Sequence, residues 1–244
     1  MPIDSLAAVA GQPATEKTSA AVASPLHTVV FLLILFGSAG LMYLSAGRMR
    51  AVAQPSRVLF YVTTIIWEWL LMGYVLVGVR LHHTPLLEVM GARWTSAKDV
   101  FRDIGIALAF WIVALLGLAL VAYLLHFQGM KQNVRFLAPE GRMEIVLWIA
   151  VSATAGICEE TLFRGYLQKQ FIAWTGSVPA GVLLSAAAFG AGHIYQGAKA
   201  TVVIGVYGLM FGVLAQRRRS MRPGMITHAL HDTFSGLAIR FLPK

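Results

Sequence analysis

Eight ionisable side chains lie in stretches otherwise apolar enough for hydrocarbon: Glu68, Glu159, Glu160, Arg164, His193, His228, His231 and Asp232. A charge at bilayer depth is expensive, and by default it marks either function or a buried pair. Spacing narrows the choice. Glu160 and Arg164 stand at i and i+4, so on a helix they share a face and can pair. Glu159 lies about 100° round the helix from Glu160, which lets adjacent carboxylates take different jobs. Phe189 and His193 are also i and i+4, as are His228 and Asp232, with His231 close to the same face.

A carboxylate near two imidazoles can activate a water or bind a divalent metal. Burial in a low-dielectric bundle suits Glu159 to general acid–base work, while Arg164 can steady Glu160. Each signal has a plain alternative. A lone histidine in a membrane helix is often a satisfied structural residue, and a Glu–Arg pair usually just stabilises its helix. Three such sites on three helices, with few other charges in those helices, favour function.

Other intramembrane chemistries lack their residues. The chain has no H-E-x-x-H and no G-x-S-x-G, so neither a helix-borne zincin site nor a serine nucleophile elbow is encoded. Asp232 is the one aspartate in a predicted span, which leaves no aspartate pair. The single cysteine, Cys158, follows apolar sequence and has no electropositive setting of its own. It reads as a small packing residue, and it cannot form an intrachain disulfide.

The elements that position these groups are membrane helices. The chain has 244 residues, 57% hydrophobic and 13% charged, with mean hydropathy +0.69. Soluble domains carry about 25% charged residues, so the sequence predicts an all-α, polytopic transmembrane bundle. About seven spans are expected, within a range of six to eight: 26–46, 58–79, 104–125, 143–171, 179–193, 200–215 and 223–241. Residues 1–25, small, polar and broken by proline, read as a disordered tail without the features of a signal peptide. Residues 26–141 then hold N-terminal spans and interfacial connectors. Residues 142–241, rich in Ala and Gly, read as a tight helix bundle. The formal charge of +9 fits basic anchors at span ends rather than nucleic-acid binding. Glu68, flanked by Trp67 and Trp69, reads as structural or interfacial.

The three motifs E-E-T-L-F-R at 159–164, F-G-A-G-H at 189–193 and H-A-L-H-D at 228–232 resemble those of the CPBP intramembrane peptidases. This is the CAAX protease and bacteriocin-processing group, whose pattern runs E-E-x-x-x-R, F-x-x-x-H, H-x-x-x-N/D. The resemblance covers about residues 142–241. It implies helices enclosing a polar cavity and hydrolysis of a peptide bond in a membrane-associated protein or peptide. It makes Glu159 the water-activating base beside His193, completed by His228 and Asp232, with Glu160, Arg164 and Phe189 supporting. It also allows a divalent metal such as zinc on Glu159, His193, His228 and Asp232, in a multi-pass protein of a bacterial-type inner (plasma) membrane. Asp232 stands where many relatives carry Asn. A carboxylate binds metal better there, but it donates no hydrogen bond unless protonated.

Two other readings use the same residues. A non-catalytic transporter, ion-binding or self-immunity protein would use the polar cluster without hydrolysis. A bundle held by buried pairs alone would lose stability, and not activity, when they are removed.

Overall fold

A computed structural model describes residues 20–51, 56–91, 93–127 and 137–239. Among these the chain is helical throughout: α1 (Pro25–Ala51), α2 (Arg57–Leu81), the short α3 (Leu86–Met90) and α4 (Ala97–Leu124). There follow α5 (Arg142–Glu159), a π-helical segment (Glu160–Leu167), α6 (Gln168–Thr175), α7 (Val178–Gly192), a 3-10 turn (Ile194–Gln196), α8 (Ala198–Arg218) and α9 (Arg222–Ile239). By length and composition five helices can cross a membrane: Pro25–Ser45, Arg57–Leu81, Ala97–Leu124, Arg142–Thr175 and Ala198–Arg218. The remaining expected crossings correspond to α7 and α9, of 15 and 18 residues.

Local chemistry sets the boundaries. Ser56, Ser96 and Ser177 each cap a helix by accepting a backbone N–H with the side chain. The cap at Ser96, with Asp99 in the first turn, starts α4 at Ala97, seven residues before the expected 104. An N-cap oxygen satisfies donors that have no intrahelical partner, so the helix extends into a charged stretch read as interfacial. The expected turn at Thr175-Gly176-Ser177 is present, with Gly176 left-handed at φ 64°. Pro179 lies just inside α7, where a missing N–H does no harm.

The bundle is inverted relative to a soluble protein. The outward face of α4 exposes Leu108, Ile112, Leu116 and Leu120, whereas Glu68, Asp103, Glu160, Arg164 and His228 are buried. Lipid satisfies the first set and neighbouring helices the second.

The tail expected over 1–25 meets the described residues only at its end. Residues 1–19 lie outside them, as do residues 128–136 of the second connector and residues 240–241 of the last expected span. At 20–25 the finding differs from expectation: Val22 and Ala23 are buried. Their backbone N–H groups both donate to Gln170 Oε1, at 2.6 and 3.2 Å. The partner lies almost 150 positions away, which is why local composition pointed to disorder.

Candidate active site

α5 and α6 form one line broken by eight π-helical residues, all buried. The backbone N–H of Gln168 donates to Phe163, an i→i+5 bond. Such widened turns are rare and recur at functional sites. Here the widening begins at the paired glutamates, where a single α-helix had been expected. Ser185 Oγ, on α7, donates to the Phe163 carbonyl at 2.7 Å and satisfies one of the displaced backbone groups.

Arg164 projects from this segment and is 3% exposed. Its Nη1 lies 3.0 Å from Glu160 Oε1, the ion pair that the spacing predicted. Its Nη2 donates to the Gly208 carbonyl at 3.0 Å, and the guanidinium lies 4.4 Å from the Phe189 ring centroid. A Cβ at position 208 would lie 2.9 Å from Phe189 Cδ1 and 3.3 Å from Arg164 Nη2. Glycine is therefore needed for the α8 backbone to reach the arginine. A buried guanidinium requires this full set of partners.

His228, on α9, is the centre of the site. Its Nδ1 lies 3.1 Å from Glu160 Oε1; a carboxylate accepts, so Nδ1 donates. Its Nε2 faces two other acids, Asp232 Oδ2 at 3.5 Å and Glu159 Oε2 at 3.7 Å. The two glutamates thus approach opposite nitrogens of one imidazole. Glu160 is more than the partner of Arg164, because the same oxygen also orients His228. Trp148 on α5 donates its indole N–H to the Asp232 carbonyl at 2.9 Å and holds α9 in register.

His193 closes α7. Its Nδ1 lies 2.8 Å from the Phe189 carbonyl. A carbonyl only accepts, so Nδ1 carries a hydrogen; in the neutral ring the lone pair is then on Nε2. The ring packs 4.9 Å from Phe189 and lies within charge–charge range of Asp232. Among the described residues no hydrogen bond or ion pair links His193 to Glu159 or His228. It is half-buried at the end of α7, and its described contacts run to Phe189 and Tyr195. Phe189 joins the parts, packing edge-on against both Phe163 and His228.

Two residues enter that the sequence reading did not place in the site. Glu68, from α2, is 8% exposed and lies within charge–charge range of Glu159, His228 and Asp232. Its Oε2 is buried without a hydrogen-bond partner. This corrects the interfacial part of its reading: packing of α2 on α5 turns it into the chamber, away from lipid. The second is Tyr207 on α8, 6% exposed. Its ring is 4.9 Å from His231 and 6.1 Å from His228. For Glu68, an isolated carboxylate in a span was a usable signal; for Tyr207, one tyrosine in an apolar helix was none.

Among the described residues no group of three or more His, Cys, Asp or Glu side chains is arranged to hold an ion. The expected set of Glu159, His193, His228 and Asp232 is not such a group, although the Nδ1 contact of His193 would by itself leave its Nε2 open to a ligand.

Residues 141–234 match the family described as Rce1-like, type II CAAX prenyl endopeptidase Rce1-like. No curated protein and no solved structure matches this chain.

Proposed function

We propose, from the premise that residues 141–234 belong to the Rce1-like CAAX prenyl endopeptidase family, that this integral membrane protein is an intramembrane endopeptidase working by glutamate-activated water. The observation that carries the reading is His228 held between acids: Glu160 on Nδ1, with Glu159 and Asp232 facing Nε2. This leaves Glu159 Oε2 buried, without a hydrogen-bond partner, beside an oriented imidazole.

In this scheme Glu159 takes a proton from water as the oxygen adds to the scissile carbonyl carbon. The carbonyl π pair moves to oxygen, giving a tetrahedral oxyanion. On collapse the C=O re-forms, the C–N bond breaks, and Glu159 returns the proton to the departing amine. His228, with Nδ1 fixed by Glu160, presents Nε2 to the reacting centre, and Asp232 holds that ring from the same side. His193 offers the Nε2 of its neutral ring to orient water or the incoming peptide. Arg164 and Phe189 act through others, the first by fixing Glu160 and the second by packing between Arg164 and His228.

The substrate class is a membrane-associated protein or peptide. The family description makes a peptide ending in a prenylated cysteine motif the first to try, beside unmodified membrane-anchored peptides. The test uses purified protein in liposomes with that panel. Wild type should cleave, and Glu159→Gln should lose activity by at least about 10²–10³-fold, the scale of a lost general base, while retaining its melting profile. Full activity in Glu159→Gln would sink the mechanism. Cleavage of no substrate, with cation movement across the same liposomes, would favour the non-catalytic reading.

A further inference from the structure

Amide hydrolysis places negative charge on the former carbonyl oxygen, and that charge needs a donor held ready before it forms. Most polar groups of the chamber cannot serve. Glu68, Glu159, Glu160 and Asp232 accept when ionised. Arg164 is committed to Glu160 and to the Gly208 carbonyl. The Nδ1 hydrogens of His193 and His228 go to Phe189 and Glu160, and His228 Nε2 faces the carboxylates of Asp232 and Glu159. Among the described residues, Arg164 Nη1 has no hydrogen-bond partner but faces Glu160 in the ion pair; Tyr207 Oη and His231 Nδ1 are also buried without one. The charge environment separates them. Tyr207 lies within range of Glu159, Glu160, Arg164 and Asp232, whereas His231 senses Asp232 and His228 only.

We propose that the Tyr207 hydroxyl donates the hydrogen bond that stabilises the tetrahedral oxyanion. This rests on the peptidase reading and deepens it. The ring is wedged 4.5 Å from Phe211 and 4.9 Å from His231, so the hydroxyl is held in place before substrate arrives. The next residue, Gly208, is anchored by Arg164, which fixes the turn of α8 that carries it. A phenol ordinarily titrates near pH 10, so it retains its hydrogen at neutral pH. It forms and breaks no covalent bond: the hydrogen bond shortens as charge develops and relaxes when the carbonyl re-forms. Asp232, which as a carboxylate only accepts, is thereby released to position His228.

Tyr207→Phe tests this cleanly, because the hydroxyl it deletes has no hydrogen-bond partner among the described residues. The variant should melt as wild type does, with kcat lower by about 10²–10³-fold and KM little changed. A peptidyl trifluoromethyl ketone, whose hydrate is tetrahedral, should bind the variant about 10²-fold more weakly, measured by calorimetry without turnover. Wild-type kcat in Tyr207→Phe, alongside an inactive Glu159→Gln, overturns the tyrosine's role and leaves the peptidase reading intact. If wild type cleaves nothing, that reading fails by itself. Equal affinity of wild type and variant for the ketone then overturns the tyrosine's role as well.

Discussion

At the level of single residues, the site is an excess of acid around few cations. Glu160 and Arg164 form one compensated pair, leaving Glu68, Glu159 and Asp232 around His228. Uncompensated charge in a low-dielectric interior is costly, so such a set persists where function requires it. Glu68→Gln removes one acid while adding an amide donor beside two carboxylates. It should raise thermal stability by about 1 kcal/mol, the worth of one new buried hydrogen bond. It should also lower kcat, the usual exchange of activity for stability. A thermal melt and a turnover assay on one preparation check both directions; a fall in melting temperature with unchanged kcat would return Glu68 to a structural role.

Among the elements, the packing of α9 on α5 decides whether His228 meets the glutamates at all. Gly156 sits three residues before Glu159, and a Cβ there would lie 2.6 Å from the Met225 carbonyl and 3.0 Å from Ala229 N. Both contacts are backbone and cannot rotate away. Gly156→Val should push α9 outward and lengthen the His228–Glu160 contact of 3.1 Å. Activity should fall about as far as in a His228 variant, and the helices should remain formed by circular dichroism. Small residues at helix contacts were readable from sequence as a sign of close packing. Which glycine meets which backbone was not, because that depends on the crossing point of two helices.

Across the whole molecule, the first described residues are fastened to the third of the chain that carries the motifs. Gln170 accepts from Val22 and Ala23 and donates to the Ala23 carbonyl and Thr28 Oγ1. Thr28 and His27 both reach the Tyr166 hydroxyl, at 2.8 and 2.9 Å. This network lies on the line that carries Glu159 and Arg164, so the N-terminal helices brace the motif helix. Gln170→Ala strands several buried donors and acceptors, each worth about 1–3 kcal/mol when left unpaired. Its melting temperature in detergent should drop by several degrees. Protease should then cut first near residues 20–24, a pattern readable by mass spectrometry. An unchanged melt and cleavage pattern would show that the clasp carries no load.

The sequence by itself determined the class of molecule, because mean hydropathy and helical spacing are local properties. Apolar runs required helices in lipid, and i, i+4 spacing let Glu160 meet Arg164, as it does in the structure. The three motifs likewise named Glu159, His193, His228 and Asp232 before any coordinate. Tertiary structure decided which atoms face one another. It placed Glu160 on Nδ1 of His228, turned His193 Nδ1 to the Phe189 carbonyl, and brought in Glu68 and Tyr207 from helices where nothing local marked their direction. Side-chain direction in a bundle is set by how whole helices cross, and no window of sequence contains that information.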